Sequence, residues 1–296
     1  MKDQFKFALC LILIIMLLPL FVTLIISGIE SCPVADKADI EDYLPAVVAM
    51  EIPWDYSKEA ILAQTIVSRT NLYKELEEGT ASDRVERAIS LLKKKEMNNG
   101  FLNDFQIFQD AALETEGQVL SYEGEIKEVP FHRISAGKTR DGEEILGESY
   151  PYLPSVEAEA DISGEEYLNG TYLTDEEIEK KLRAEYSGFS WERSGDEKIK
   201  ILKSDTVGYV LEIQAGNLVF QGEEFRRIMG LESSCFAVEF LGEETRFLCK
   251  GIGHGLGMSQ YTADVFSKEG KNYQEILDYF YPDMKIESID KFSINE

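Results

Sequence analysis

The alternation of apolar and polar positions divides the chain sharply. Phe7–Ile29 carries no charged residue. It is long enough to cross a hydrocarbon core of about 30 Å. Lys2 and Lys6 precede it, while Glu30, Asp36, Asp39, Glu41 and Asp42 follow. This bias predicts a cytoplasmic N-terminus and an extracytoplasmic remainder. A cleaved signal peptide needs a shorter apolar core and a small-residue site, and Ile29-Glu30-Ser31 fits poorly. The pattern predicts a single-pass membrane anchor within residues 1–29, a polar stalk over 30–38 and an extracytoplasmic domain over 39–296.

Past the stalk the period becomes helical. Asp42 is placed to cap a short helix with Leu44, Val47, Val48 and Glu51 on one face. Pro45 would lie in its first turn and Pro53 would end it. Ser57 then caps a second helix, Lys58–Tyr73, with Ile61, Leu62, Ile66 and Leu72 inward and Gln64, Ser68 and Arg69 offered to a neighbour. Residues 74–104 read as a charged insertion. Its helix would start at Ser82, turn Val85, Ala88, Ile89 and Leu92 inward and stop at Asn98-Asn99-Gly100. Phe105–Thr139 reads as strands and turns, with Gln118–Tyr122 alternating and Glu123-Gly124 turning.

Farther on, Thr174 and Glu177 form a capping box. The acidic stretch 157–200 reads as solvated surface with Trp191 as its packing anchor. Strand-like runs follow at Ile199–Leu202, Val207–Ile213, Leu218–Phe220 and Cys235–Phe240, with a short helix over Gln221–Leu231. A hairpin turning at Gly242 would bring Cys235 opposite Cys249, which leaves open either a disulfide or two buried thiols. Tyr273–Tyr281 predicts a closing helix. Together these elements predict an α+β fold: one mixed domain of mostly antiparallel sheet, with helices flanking a substrate groove.

Charge narrows the partners. The 296 residues hold 30 basic and 55 acidic side chains, a formal charge of −25. Such an acidic surface argues against nucleic acid and against attraction to anionic lipid. No C-x-x-C or H-x-x-x-H spacing marks a zinc site, and no cofactor is implied.

Three stretches carry candidate chemistry. Glu51, in Ala49-Met50-Glu51-Ile52-Pro53, is a carboxylate in an apolar run. Its common fate would be a solvated helix edge, but desolvation would also suit an acid catalyst. Gly251-Ile252-Gly253-His254-Gly255-Leu256-Gly257-Met258-Ser259-Gln260-Tyr261 alternates glycine around one of the two histidines. That many glycines imply tight turns or close backbone approach. His254, Gln260 and Tyr261 are reasonable donors for sugar hydroxyls and N-acetyl groups. Ser135, Gly137 and Thr139 lie in a small-residue loop that could bring N–H groups to a ligand, or simply turn the chain.

These segments resemble the stage II sporulation protein D family. Glu51-Ile52-Pro53 matches its E-x-P element, and Ala63–Tyr73 its A-Q-x-x-x-x-R-T-x-x-Y helix. Phe131–Thr139 matches its F-H-S-x-S-G-G-x-T loop, Pro151–Val156 its P-Y-L-x-S-V, and Gly251–Tyr261 its G-x-G-H-G-x-G-M-S-Q-Y. The resemblance covers about Ile40–Ile286. It departs at Arg133 and Ala136, where the family has Ser and Gly, and at the two charged insertions. Some members carry a zinc site of two His and two Cys after the arginine helix; Leu102–Gln109 has neither residue type, so no zinc is expected.

The resemblance implies a membrane-anchored lytic transglycosylase. It would cleave peptide-stripped peptidoglycan strands between N-acetylmuramic acid and N-acetylglucosamine during engulfment, beside a partner amidase. It puts Glu51 at the catalytic acid and Arg69 at an important arginine, which would hold substrate or another carboxylate. With Gln64, Ser135, Gly137, Thr139, His254, Gln260 and Tyr261, Arg69 makes up the expected substrate-binding set. Glycosidases ordinarily use two carboxylates. One suffices if the muramic C6 hydroxyl attacks C1 and leaves a 1,6-anhydro end. The alternatives are a non-catalytic glycan-binding module that stimulates an amidase, since the family resemblance extends to amidase enhancers, and a structural membrane protein.

Overall fold

A computed structural model describes residues 40–95, 99–191 and 197–292. The Phe7–Ile29 segment and the stalk lie outside these residues. Residues 43–296 form one compact unit.

Helix α1 (Ile40–Glu51) starts two residues before the expected cap, so Asp42 lies in its first turn. Leu44, Val47 and Val48 are fully buried, as their spacing predicts. The helix ends at Pro53, with Ile52 still donating to the Val48 carbonyl. Helix α2 (Lys58–Glu78) begins after Ser57 as expected, but the Ser57 side chain makes no cap. Its hydroxyl and its backbone N–H both donate to Asp264, at 2.6 and 2.7 Å. The helix runs past Tyr73 to a left-handed Gly79. Every residue from Ala60 to Leu72 is buried, polar ones included. Over that stretch the helix is enclosed on all sides, not amphipathic, and its polar groups must find partners inside the protein.

The helix expected in the charged insertion is present, and a second helix stands where strands are expected next. Helix α3 (Ala81–Lys95) packs Ala88 against Ala46 and Val47 of α1. Helix α4 (Asn99–Glu114) replaces the strands expected from Phe105 onward. Asn99 and Gly100 begin it; they do not simply end α3.

One core surrounds α2. Strand β1 (Gln118–Tyr122) pairs with β2 (Glu125–Ile126) through the Glu123-Gly124 turn, and on its other edge with β11 (Lys285–Ser288), both antiparallel. Strand β3 (Phe131–His132) pairs in parallel with β10 (Met258–Ser259). Helices α8 (Gln260–Lys268) and α9 (Tyr273–Phe280) close this core with Ala263, Ile276, Leu277 and Phe280.

A second core lies between two antiparallel three-stranded sheets and their helices. One sheet has the order β4 (Leu168–Thr174), β9 (Glu244–Lys250), β8 (Phe236–Leu241). The other is β5 (Ile199–Ser204), β6 (Val210–Ala215), β7 (Leu218–Gln221). Helices α6 (Asp175–Glu185) and α7 (Gly222–Met229) pack with them; α5 (Gly142–Leu146) is a single short turn. The capping box of Thr174 and Glu177 is present. The acidic stretch is not only surface, because Leu173, Ile178, Leu182 and Phe189 are buried in this core, with Trp191 packed against it. The fold is thus mixed α+β with mostly antiparallel sheets.

The hairpin β8–β9 corrects the cysteine geometry. Leu241 pairs with Glu244, so the turn has two residues, Gly242 and Glu243. Cys249 consequently faces Phe236, and Cys235 bonds through its carbonyl to Lys250. Successive strand residues point to opposite faces, and both cysteines are free, buried thiols.

Candidate active site

Glu51 sits at the last turn of α1 with its side chain 8% exposed. Residues of α2 one turn apart meet one carboxylate oxygen. Ser68 Oγ donates to Oε2 at 2.5 Å, and Gln64 Nε2 donates to it at 3.3 Å. Gln64 Nε2 also donates to Ser68 Oγ at 3.1 Å. Gln260, at the start of α8, donates from Nε2 to the Glu51 backbone oxygen (2.8 Å) and to Gln64 Oε1 (3.0 Å). It closes a helix-end carbonyl that the backbone leaves open. Gln64 and Gln260 are therefore positioning residues beneath Glu51, both buried, and do not form a sugar-facing surface.

The other oxygen meets a cation. Arg84 Nη1 lies 2.5 Å from Glu51 Oε1. The same guanidinium grips Glu75 at the end of α2, with Nε at 2.9 and 3.0 Å from its two oxygens and Nη2 at 2.6 Å from Oε1. The turn at Gly79 folds α3 back along α2, which sets Arg84 beside Glu75. Burial pushes the Glu51 carboxyl above its ordinary range; Arg84, Ser68 and Gln64 pull it back, and the net direction is upward. Glu51 is thus desolvated, as its apolar run allows, but also ion-paired.

An open cleft of about 320 Å³ adjoins this pair, lined by Met50, Glu51, Arg84, Arg87, Phe131 and His254 among others. His254 Nδ1 accepts the Leu256 N–H at 3.1 Å, which leaves the ring proton on Nε2. Burial and the neighbouring His132 hold His254 down at about 4. His132, with its ring 6.0 Å away, donates from Nδ1 to the Leu256 carbonyl and is likewise held near 4 by burial. Both rings are neutral at pH 7. Arg140 donates to the His254 carbonyl at 3.1 Å and pairs with Asp205 at 2.6 Å, so a buried ion pair anchors the glycine loop.

The glycines of that loop have a structural cause. All four have positive φ, and a Cβ at Gly257 would lie 1.9 Å from the Pro130 oxygen. Only a residue without a side chain lets β10 lie so close to the segment entering β3.

The other expected substrate residues lie elsewhere. Arg69 is fully buried and holds backbone carbonyls: Ala112 at 2.9 Å, Thr115 at 2.7 Å and Gln118 at 3.3 Å. It does not line the cleft; these donors reach carbonyls at and just past the end of α4. Ser135, Gly137 and Thr139 are buried frame. Ser135 N–H donates to Asp161 Oδ2 at 2.6 Å, while Ser259 and Thr262 donate to Asp161 Oδ1, each at 2.7 Å. Thr139 exchanges bonds with Val156. Tyr261 is half-buried, its N–H on the Arg133 carbonyl, and it is not among the cleft residues.

Two charged residues that the packing brings inside, Arg84 and Asp161, carry little signal in the sequence. Arg84 lies in the stretch that reads as an insertion; its only local signal is a basic residue early in a helix that follows Glu75. Asp161 lay in an acidic run, and its burial has no signature in spacing. Among the described residues no group of three or more His, Cys, Asp or Glu converges as a metal site would require.

Residue by residue, then, this is a buried, ion-paired carboxylate at a helix end, opening on a cleft, within an α+β domain. Comparison with known proteins agrees with the motifs. Residues 30–122 match the family model described as Stage II sporulation protein. Stage II sporulation protein D of Bacillus amyloliquefaciens is 28% identical over 279 residues, covering 87% of this chain and 76% of that protein. The protein of the same name from Bacillus subtilis (strain 168) is 28% identical over 271 residues, covering 87% and 77%. An amidase enhancer of Bacillus subtilis (strain 168) is 24% identical over 290 residues, covering 81% of this chain but 39% of that protein. The chain carries a stage II sporulation protein domain and is related to the stage II sporulation protein D family.

Proposed function

We propose that the protein is a membrane-anchored peptidoglycan lytic transglycosylase acting in sporulation, with Glu51 as its single acid–base residue. The observation that carries this reading is the Glu51 carboxyl itself. It is desolvated, fixed by Ser68, Gln64 and Arg84, and open to a cleft. At an unperturbed carboxyl pKa near 4.3, only about 0.2% would be protonated at pH 7. Burial works in the direction a general acid needs.

In this reading Glu51 protonates the oxygen leaving muramic C1. It then takes the proton of the C6 hydroxyl as that oxygen bonds to C1, so one carboxyl begins and ends the cycle protonated. No second carboxylate is required because the nucleophile belongs to the substrate. Neutral His254, with its proton on Nε2, is available in the cleft as a hydrogen-bond donor to sugar oxygens. Phe7–Ile29 would hold the domain at the outer membrane face, and the partner would be a cell-wall amidase.

The test is product analysis. Full-length wild type and Glu51→Gln are incubated with peptide-stripped glycan strands, and the ends are read by mass spectrometry. Anhydro-muramic ends from wild type alone support the reading. Reducing ends would make the protein a hydrolase. Binding without cleavage by either would favour a module that stimulates an amidase, the reading to which the amidase-enhancer similarity lends weight.

A further inference from the structure

We propose that Arg84 is a positioning residue that decides when Glu51 can hold a proton, and that Glu75 is the site onto which it is drawn back. This rests on the reading that Glu51 supplies the catalytic proton. A general acid cannot work while its carboxylate is locked in an ion pair. The geometry of Arg84 offers a way out of that lock.

Its guanidinium makes three contacts to Glu75, from Nε and Nη2, and one to Glu51, from Nη1. The Glu51 contact is the one that can break without releasing the side chain. Arg84 and Glu75 are partly exposed, at 20% and 25%, whereas the Glu51 side chain is 8% exposed. The movable partner is thus on the solvent side and the fixed one inside. Arg84 also lines the cleft, so a bound sugar would compete for Nη1 directly. Once Nη1 leaves, Glu51 keeps only the neutral donors Ser68 and Gln64 in a buried site. The other charged or titratable groups lining the cleft are Arg87 of α3, Glu128 and His254.

Two variants separate this from a merely structural contact, because they act in opposite directions. Removing the cation in Arg84→Met takes away the charge that favours ionised Glu51. Its titration midpoint should move up by about 1–3 pH units, and Arg84→Lys should restore most of the shift. Glu75→Gln removes a carboxylate that shares the cation, so Arg84 acts on Glu51 alone and the midpoint should move down.

The experiment is carbon-13 NMR titration of glutamate carboxyls in the full-length protein in detergent. The Glu51 signal is assigned by its loss in Glu51→Gln. The alkaline limb of the pH–rate profile on glycan strands is recorded in parallel. Opposite shifts in both readouts are expected. An unmoved Glu51 midpoint in Arg84→Met, or shifts of the same sign in both variants, would overturn the proposal. Opposite NMR shifts without glycan cleavage by wild type would leave the coupling standing and remove the catalytic reading instead.

Discussion

Arg84 Nη1 lies 2.5 Å from Glu51 Oε1, so a residue of a charged helix completes the pairing of a carboxyl on another helix. Burial alone would give Glu51 the character of a weak acid. Paired with Arg84 it is a poised one, and its behaviour depends on how Arg84 is shared with Glu75. The site is assembled from α1, α2, α3 and α8, and no one segment contains it.

Replacing Glu51 by Gln keeps the shape and removes the proton. On the proposed chemistry, glycan cleavage falls by roughly 10²–10⁴-fold. Binding to the same strands, measured by co-sedimentation, should persist. Retained cleavage would remove Glu51 from the mechanism.

Arg69→Met tests the structural assignment of that arginine. The variant takes the Arg69 donor from the carbonyls of Ala112, Thr115 and Gln118, of which Thr115 keeps the Gln118 N–H. Unsatisfied buried groups cost about 1–3 kcal/mol each. A loss of roughly 2–4 kcal/mol in denaturant unfolding is expected, allowing for partial solvation. A stable variant with weakened glycan binding would return Arg69 to the substrate.

Gly257→Ala should damage the fold more than its chemistry suggests. The residue has φ +67° and its Cβ would meet the Pro130 oxygen at 1.9 Å. The left-handed conformation costs about 1–2 kcal/mol for a residue with a side chain, and the overlap forces β10 away from β3. Thermal unfolding should show a clearly lower midpoint, and Gly270→Ala is the useful control. Gly270 shares positive φ but has open space around it.

The two histidines should make the protein acid-sensitive. Burial lowers each from 6.5 to about 4 in the folded protein. Between those values the unfolded chain binds protons that the folded chain refuses. Their contribution is fully present above about pH 6.5 and is lost as pH falls toward 4. His132→Asn should flatten the fall in unfolding midpoint over that window. An unchanged slope would mean that His132 does not cause it.

Cys235 and Cys249 should behave as buried thiols. Burial pushes Cys235 up to about 11, so little thiolate exists at neutral pH. Alkylation without reductant should leave both unmodified in the native protein and label both once it is denatured. Failure to label them after denaturation would indicate a disulfide.

Much of this was legible in the sequence because it depends on local rules. Pro53 ends α1 by sterics acting on its neighbour, and Leu44, Val47 and Val48 repeat at helical spacing. The glycines around His254 announce close backbone approach, since no other residue type serves there. The family motifs located Glu51 and the loop facing it. The same motifs pick out Gln64 and Gln260, but as substrate ligands. Nothing local says that each spends its amide on Glu51 and on the other.

What only the tertiary structure decided is which charges and polar groups are buried, and against whom. Arg69 and Arg84 look alike in the chain, each a basic residue on a helix. Arg69 is enclosed because α2 is buried on every side from Ala60 to Leu72, and there it reaches carbonyls at the end of α4. Arg84 reaches Glu51 because Ala88 docks α3 on α1 while the Gly79 turn aligns it with Glu75. A charge's role follows from distance and desolvation, and both are set by contacts far apart in sequence. The residue types and helix faces came from the sequence; the pairing of Glu51 with Arg84 is a property of the packed fold alone.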